Sequence, residues 1–304
     1  MQSSFFNDLD GIIEFEYLEP KTTKEACAWL NQYQENAKII AGGTKLMASM
    51  RQRKITPRYL INLKSILNLE FITADEEGLR IGALTTLYAI SQSSIANDKA
   101  KILVEAIQQR EPGVNQARWA YYMATMGGHL SHPASSVDIA PPLIILGAKA
   151  VVEGLKGWKT IPLEDLFDQN GEAAFQKDEV LTEIRIPKLS ADIGLVYMKS
   201  GGSSGAPTFN TAVSLQLDGK HVNVEELRIV VGGVTPKIME AREAVGFMKD
   251  KPIDNDLIEE TARAAAKEVG GRSDAEAEGR AQELIEEAIR QAVDRAIGEF
   301  ALGY

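Results

Sequence analysis

Two pairs of adjacent glycines, each lying between an apolar run and a helix-forming run, constrain this chain more than any other feature. The first pair, Gly42-Gly43, follows Lys38-Ile39-Ile40, and the second pair, Gly127-Gly128, follows Thr125-Met126. Glycine adopts positive φ without strain and lets a ligand approach the main chain closely. A glycine turn that leads into a helix also presents unpaired N–H groups and the positive end of the helix dipole. One such turn predicts an anion site, and two in one domain predict a diphosphate held from two sides.

Each glycine pair also has simpler interpretations. A glycine pair between a strand and a helix is more often a tight turn than a ligand site. Thr44, directly after the first pair, can cap the helix or bond a phosphate oxygen, and the two roles are compatible. The G-x-x-x-x-G-K-[ST] spacing of a Walker loop is missing, so nothing supports kinase or NTPase chemistry. The G-x-G-x-x-G spacing with a following acidic residue is also missing, which disfavours a Rossmann dinucleotide fold.

The charge balance and the cysteine count narrow the class of protein. The 304 residues carry 33 basic and 43 acidic side chains, a formal charge of −10, which argues against a general nucleic-acid surface. No apolar run approaches the roughly 18–20 residues of a membrane span, and residues 1–8 lack the regions of a cleaved signal. The single cysteine, Cys27, excludes an intrachain disulfide and an iron–sulfur cluster ligated by this chain alone. We therefore expect a cytoplasmic protein.

The order of predicted elements divides the chain into two parts. Strand and helix patterns alternate over about the first 85 residues, which predicts α/β layering. After about residue 190, strand-like runs joined by glycine-rich links predict an antiparallel sheet, followed by helices around 239–249, 255–269 and 274–300. The last helix carries an apolar stripe, for which packing on its own sheet is favoured over a subunit contact. The best position for a domain boundary is within 182–192.

Four ordered motifs give the chain a close resemblance to one family. They are the segment 41–46, the run Ile81-Gly82-Ala83-Leu84-Thr85-Thr86, the run Ala124-Thr125-Met126-Gly127-Gly128, and the run Asp138-Ile139-Ala140-Pro141-Pro142-Leu143. The chain resembles the FAD-binding medium subunit of molybdenum hydroxylases, the group of carbon monoxide dehydrogenase, xanthine dehydrogenase and the N-heterocycle hydroxylases. Later landmarks agree, so the resemblance covers nearly the whole chain; they are Asp178-Glu179-Val180-Leu181, Tyr197-Met198-Lys199 and Gly232-Gly233-Val234.

The resemblance implies an α+β fold in two units. Residues 1–184 would form a two-part FAD-binding domain of the vanillyl-alcohol-oxidase-like (PCMH) type, with two α/β subdomains. Residues 185–304 would form a smaller C-terminal flavoprotein domain of antiparallel sheet and helices.

The resemblance also implies the cofactor contacts, residue by residue. In the family, the two glycine loops hold the FAD diphosphate through backbone N–H groups. The first cradle would comprise Ala41, Gly42, Gly43, Thr44, Lys45 and Leu46. The second would comprise Thr125, Gly127, Gly128, His129 and Ser131, with Thr86 as a further contact.

Four more residues match positions around the cofactor, and most have a structural alternative. Asp138 matches an acidic residue that bonds a ribose or ribityl hydroxyl, and it could also cap the following helix. Leu181 matches an apolar contact near the adenine. Lys199 matches a basic residue near the cofactor, and a solvated strand lysine is an equal alternative. Tyr197 could lie by the isoalloxazine ring, although a core tyrosine is favoured.

The sequence departs from the family pattern at three places. The family usually has Asn where His129 stands; imidazole can donate one bond, but it titrates near neutrality, so binding could depend on pH. Arg118 is separated from the second glycine pair by a short insertion within 119–123, and a Gly/Ser run, 200–205, replaces the arginine expected after Lys199. Because His129 and His132 have no cysteine or carboxylate cluster at ligand spacing, no metal site is predicted.

The implied function is that of an FAD-carrying electron-transfer subunit of a heteromeric oxidoreductase. A large partner subunit would carry the molybdenum-pterin cofactor, and a small partner subunit would carry the [2Fe–2S] clusters that deliver electrons. This chain would pass them to an external acceptor. Two alternatives stay open, a stand-alone FAD-dependent oxidoreductase with its own small-molecule substrate, and a non-catalytic nucleotide-binding scaffold. The substrate, the acceptor and the number of trimers in the complex are not encoded in any motif.

Overall fold

The computed structural model describes residues 14–109, 118–132, 138–168, 170–189, 193–200, 209–220, 222–233, 237–270 and 275–301. The predictions about residues 1–8, the Gly/Ser run from 201 and Val234 lie outside these ranges. The strands are β1 (Glu16–Leu18), β2 (Ala37–Ile40), β3 (Tyr59–Asn62), β4 (Ile72–Ala74), β5 (Gly78–Gly82), β6 (Lys149–Gly154), β7 (Gly157–Pro162), β8 (Val180–Pro187), β9 (Ile193–Ser200), β10 (Phe209–Leu217), β11 (Val224–Gly232) and β12 (Met239–Glu240). The helices are α1 (Thr23–Tyr33), α2 (Thr44–Arg51), α3 (Leu87–Ser91), α4 (Ser94–Lys99), α5 (Lys101–Gln108), α6 (Arg118–Met123), α7 (Met126–Leu130), α8 (Ala140–Ile145), α9 (Asn255–Gly270) and α10 (Ala275–Ala301).

The first part of the chain forms a small parallel sheet with strand order β1-β3-β2. Helix α1 begins at a side-chain cap, because the Thr22 hydroxyl accepts the N–H of Glu25 at 3.1 Å. The Glu25 carboxylate in turn accepts the N–H of Lys21 at 2.7 Å. The buried face of α1 packs with the strands, and its core residues include Cys27 and Leu30. This alternation of strand and helix was predicted from the sequence.

The second part is an antiparallel sheet of five strands in the order β4-β5-β8-β6-β7, with α3–α8 around it. Strand β5 has neighbours far apart in sequence, since β4 precedes it directly and β8 follows about a hundred residues later. The Arg80 guanidinium bonds the carboxylate of Glu183 across the β5–β8 pair at 2.7 Å. Ala83, directly after β5, lies against the second glycine pair, because its carbonyl accepts the N–H of Gly127 at 2.8 Å.

The third part is an antiparallel sheet with strand order β12-β11-β10-β9, covered by α9 and α10. The predicted apolar stripe of α10 packs on this sheet, because Ile285, Ile289 and Ala292 are fully buried there. The helix lies directly on strand β9, since a Cβ atom on Gly194 would overlap the Ala292 carbonyl oxygen. Ile297 at the end of the stripe is half exposed, and the side chain of Phe300 lies outside the described residues.

Two local predictions were wrong. The segment 239–249 is not a helix: it begins with β12, which pairs with β11, and continues into a 3-10 turn at Ala244–Phe247. Asp138 does not cap α8, because the N-cap residue is Ile139 and no side chain accepts a bond there.

The proposed boundary at 184/185 falls within β8, which continues to pair with β5 as far as Pro187. That boundary stays a prediction.

Candidate cofactor site

The segment after β5 and the segment before α7, far apart in sequence, pair with each other beside the first glycine pair. The chain after β5 runs antiparallel to the chain before α7, and Thr86 and Thr125 lie opposite each other. The N–H of Leu87 donates to the Ala124 carbonyl at 2.8 Å, and the N–H of Met126 donates to the Thr85 carbonyl at 2.9 Å. The structure therefore brings the two predicted glycine loops and Thr86 into one region.

The first glycine pair is in direct backbone contact with the chain that leads to the second. A Cβ atom on Gly42 would overlap the Met123 carbonyl oxygen and lie 2.8 Å from its carbon. Gly43 has φ of +71°, in the left-handed region that only glycine adopts without cost. Both glycines are thus required by the backbone, the first by a close approach and the second by its conformation.

Helix α2 begins without a side-chain cap. Its N-cap is Gly43, which has no side chain to accept the first-turn N–H groups, and the first helical bond runs from Met47 N–H to the Gly43 carbonyl at 3.0 Å. Within the described ranges, the N–H groups of Thr44 and Leu46 donate to no protein acceptor. These groups can be satisfied by water or by a bound anion.

The charge at this N-terminus is the reverse of the usual pattern. The first turn of α2 contains no acidic residue and carries Lys45, whereas α1 has Glu25 in its first turn. A positive side chain beside the positive end of the helix dipole is unfavourable, because negative groups stabilise that end. The helix end and this first turn would both attract an anion, which fits a diphosphate.

The N–H groups of the second glycine pair are already bonded within the protein. The N–H of Gly127 donates to the Ala83 carbonyl at 2.8 Å, the N–H of Gly128 donates to the Thr125 hydroxyl at 3.1 Å, and the N–H of His129 donates to the Thr125 carbonyl at 2.9 Å. The Ser131 hydroxyl donates to the Gly127 carbonyl at 2.7 Å. The donors predicted to hold the diphosphate from this side therefore already have protein acceptors.

Asp138, His129 and Lys199 form a charged cluster next to the second loop. The Asp138 carboxylate contacts His129 Nε2 at 3.2 Å through one oxygen and Lys199 Nζ at 3.1 Å through the other. The imidazole is buried, and the Asp138 side chain is 12% exposed. Lys199 is 23% exposed, so it is not the solvated strand lysine of the alternative prediction.

His132 connects this cluster electrostatically to the first loop. Burial, and to a smaller extent the charges of Lys45 and His129, lower the pKa of His132 from its usual 6.5 to about 4. His132 is therefore neutral at neutral pH.

The remaining predicted residues are placed as follows. Thr86 is the N-cap of α3, and its hydroxyl accepts the N–H of Ala89 at 3.1 Å. Leu181 and Tyr197 are both buried in the core that includes the five-stranded sheet, so the core interpretation of Tyr197 is confirmed. Ala41 is half-buried beside the parallel sheet. Contact of these residues with a cofactor stays a prediction.

The sequence did not indicate the residues whose backbone carbonyl groups contact the two glycine pairs. Met123 sets the close approach to Gly42, and Ala83 accepts the bond from Gly127. The sequence also did not indicate Tyr88, whose ring packs against Tyr122 with a centroid distance of 4.7 Å beside the same segment. Only the aromatic cluster at 119–122 left a signal in the sequence, since a backbone carbonyl carries none.

The described residues contain neither a cluster of metal-binding side chains nor a membrane-spanning helix. Among the residues described, no group of three or more His, Cys, Asp or Glu side chains could hold a metal ion. In the same set, none of the helices combines the length and the apolar character that crossing a membrane requires. The N–H groups without protein acceptors at the N-terminus of α2 and its positive first turn fit a nucleotide diphosphate.

Comparison with known proteins gives the family. Residues 13–189 match the FAD binding domain in molybdopterin dehydrogenase, and residues 203–296 match the CO dehydrogenase flavoprotein C-terminal domain. The carbon monoxide dehydrogenase medium chain of Hydrogenophaga pseudoflava is 28% identical over 253 residues, covering 83% of this chain and 85% of that protein. The nicotinate dehydrogenase FAD-subunit of Eubacterium barkeri is 32% identical over 190 residues, covering 61% and 62%.

A solved structure agrees with these matches. A chain of the carbon monoxide dehydrogenase from Hydrogenophaga pseudoflava that lacks the Mo-pyranopterin moiety of its molybdenum cofactor superposes with a TM-score of 0.83 at 27% identity. The match covers 93% of this chain and 99% of that one, which confirms the α+β fold with an FAD-binding domain and a C-terminal flavoprotein domain. The chain therefore belongs to the FAD-binding family of the molybdopterin dehydrogenases and is an FAD-binding oxidoreductase subunit of the molybdenum hydroxylase type.

Proposed function

We propose that this chain accepts electrons from the [2Fe–2S] clusters of a small partner subunit and passes them to an external acceptor. In this proposal a large partner subunit carries the molybdenum-pterin cofactor and oxidises the substrate. FAD, when bound, supplies the redox chemistry, and the protein supplies its orientation and electrostatics. The names of the relatives, medium chain and FAD-subunit, support a role within a larger assembly.

The observation that carries the proposal is the open N-terminus of α2 within a chain of this family. The N–H groups of Thr44 and Leu46 would donate to diphosphate oxygens, the Thr44 hydroxyl could add a bond, and Lys45 would supply positive charge. Ala41, Gly42 and Gly43 would lie beside the diphosphate, and the positive φ of Gly43 would let the chain turn into α2 at this point. What supports these roles is that the first loop has N–H groups without protein acceptors among the described residues, which the second loop lacks.

The other predicted contacts complete the proposed site. Asp138 would accept a bond from a ribose or ribityl hydroxyl, Lys199 would contribute positive charge, and Leu181 would give an apolar contact near the adenine. A second wall would be formed by Thr86, Thr125, Gly127, Gly128, His129 and Ser131. Because the donors of that wall are already bonded within the protein, we expect it to contribute shape more than hydrogen bonds.

The chain's own residues offer little for substrate oxidation. Its one cysteine, Cys27, is buried, and burial raises the pKa of this thiol to about 11, so it is neither a cluster ligand nor an activated nucleophile. This argues for partner subunits that carry the other centres. We also propose a cytoplasmic location, which fractionation of the source cells with an antibody to this chain would test.

The experiment compares the chain alone with the purified complex. Both should show flavin absorbance, but only the complex should reduce its flavin when the organic substrate of the large subunit is added. A colourless, folded chain that takes up no FAD would overturn the proposal. Steady turnover of an organic donor by the isolated, FAD-loaded chain would instead favour a stand-alone oxidoreductase.

A further inference from the structure

The Asp138 carboxylate is held at both of its oxygens by side chains from different parts of the fold. His129 reaches one oxygen from α7, and Lys199 reaches the other from β9 of the C-terminal sheet. The side chain of His129 is 3% exposed, that of Asp138 is 12% exposed and that of Lys199 is 23% exposed. A carboxylate with so little solvent contact requires such partners, because an unpaired charge is costly away from water.

The strand that carries Lys199, β9, is held by contacts with its neighbours. It is an edge of its sheet, and two of its carbonyl groups accept side-chain donors. Arg295 donates to the Leu195 carbonyl at 2.6 Å and pairs with Glu105 of α5 at 3.0 Å. The Gln109 side chain donates to the Tyr197 carbonyl at 3.4 Å. Lys199 is two residues further along the strand that α5 and α10 hold in place.

The two contacts leave the Asp138 carboxylate little freedom to rotate. A carboxylate bonded at only one oxygen can turn about its last side-chain bond, whereas bonds at both oxygens set the plane of the group. An acceptor held in a fixed plane binds a ligand hydroxyl with less loss of conformational entropy. The cluster is therefore suited to present Asp138 in a set orientation.

We propose that His129 and Lys199 are positioning residues, which orient the Asp138 carboxylate toward a cofactor hydroxyl and so make FAD affinity depend on the C-terminal sheet. The inference rests on the proposed function only in taking Asp138 as a cofactor contact. It gives His129 a role different from that of a direct cofactor ligand. The imidazole acts on the cofactor through Asp138.

Glutamine and leucine substitutions at position 129 separate these roles. The amide nitrogen of His129→Gln can occupy nearly the place of imidazole Nε2 and can donate to Asp138 without titrating, whereas His129→Leu removes the donor and keeps an apolar bulk. We expect His129→Leu to raise the Kd for FAD about tenfold and His129→Gln to restore it to within about threefold of wild type.

Lys199→Met tests the contribution from the C-terminal sheet. We expect it to raise the Kd for FAD about tenfold, as for His129→Leu. Lys159→Met is the matched control, because Lys159 pairs with Glu179 at 2.8 Å in a different part of the chain. That variant should bind FAD as the wild type does. Thermal unfolding of each apoprotein shows whether the variants fold.

The decisive measurement is a pair of double-mutant cycles with Asp138→Ala. If both residues act through Asp138, His129→Leu and Lys199→Met should have no further effect on the Kd for FAD in the Asp138→Ala background. The same full effects in that background would overturn the proposal, as would wild-type affinity in both single variants. Absence of FAD binding by the wild-type chain would overturn the proposed function instead, so the two failures are distinguishable.

Discussion

The first glycine pair leads into a helix whose first N–H groups have no acceptor among the described residues, whereas the N–H groups of the second pair are bonded within the protein. At the first pair, the N-cap has no side chain and the first turn is positively charged. At the second pair, each N–H group from Met126 to His129 donates to a carbonyl or to the Thr125 hydroxyl. The same dipeptide therefore has two different hydrogen-bonding environments within one region.

This difference shows that a glycine pair is required for either of two physical reasons. One is access, when a ligand must meet the main chain, and the other is packing, when two backbones must meet. Gly127 belongs to the second case, since a Cβ atom there would lie 2.9 Å from the Ala83 Cβ and 3.0 Å from its carbonyl oxygen. Gly42 meets Met123 in the same way, so the first pair also has a packing reason, besides the access that we propose for it.

The largest expected effect is that of Gly42→Ala. Its new methyl group would overlap a backbone carbonyl, which cannot rotate away as a side chain can. We expect a loss of about 3 kcal/mol in the free energy of unfolding, at the upper end of ordinary overpacking. Denaturant unfolding of the apoprotein measures this, and unchanged stability would mean that the contact with Met123 is looser than the structure has it.

Substitution of Gly43 separates backbone strain from ligand access. Gly43→Val should lose about 1–2 kcal/mol or more, because a β-branched residue is strained at φ of +71°. Gly43→Asn should lose less, since asparagine tolerates this region. Both should weaken FAD binding at least about tenfold by placing a side chain at the N-terminus of α2. FAD titration followed by fluorescence is the measurement, and wild-type affinity in Gly43→Asn would locate the diphosphate elsewhere.

Thr125→Val tests whether the second loop uses its N–H groups within the protein rather than to bind the diphosphate. The variant removes the acceptor of the Gly128 N–H, a bond of 3.1 Å, and should cost about 1 kcal/mol as other lost N-caps do. Thr125→Ser keeps the acceptor and is the control. We expect the Kd for FAD to change less than in the Gly43 variants. A larger change in the Kd would show that this loop contacts the diphosphate directly.

The smallest effect concerns His132, whose pKa responds to the charges of Lys45 and His129. Its pKa is about 4 in the folded chain and about 6.5 when unfolded, so between these values the unfolded state binds the proton and the folded state does not. Stability contributed at higher pH is therefore lost as the pH falls from about 6.5 toward 4. His132→Gln should reduce the drop in stability between pH 7.5 and pH 5, measured by urea unfolding. An identical drop in both proteins would exclude His132 as a contributor.

The sequence was sufficient where structure depends on neighbours along the chain. The alternating strands and helices of the first part follow from local patterns, and the structure has them. The segment 239–249 has a helix-like composition, but Glu240 pairs with Arg228 across the β11–β12 edge at 2.7 Å. Pairing with a distant strand overrode local propensity there.

The candidate site was predicted only in part for the same reason. Both glycine pairs could be found from their flanking runs, but whether an N–H group has an acceptor depends on carbonyls such as that of Ala83. Asp138 was assigned a helix cap as its structural alternative, because its actual partners could not be seen locally. Lys199 is 61 residues away, and His129 lies on the preceding helix.

The position of β8 has a consequence for how the chain is made. Strand β5 ends beside the cofactor region, and its pairing with β8 joins residues such as Arg80 and Glu183, which are 103 positions apart. During synthesis, β5 stays an open sheet edge until β8 has left the ribosome, and contacts of such long range form slowly. We therefore expect nascent chains ending before residue 180 to aggregate readily, because an unpaired strand edge recruits other chains.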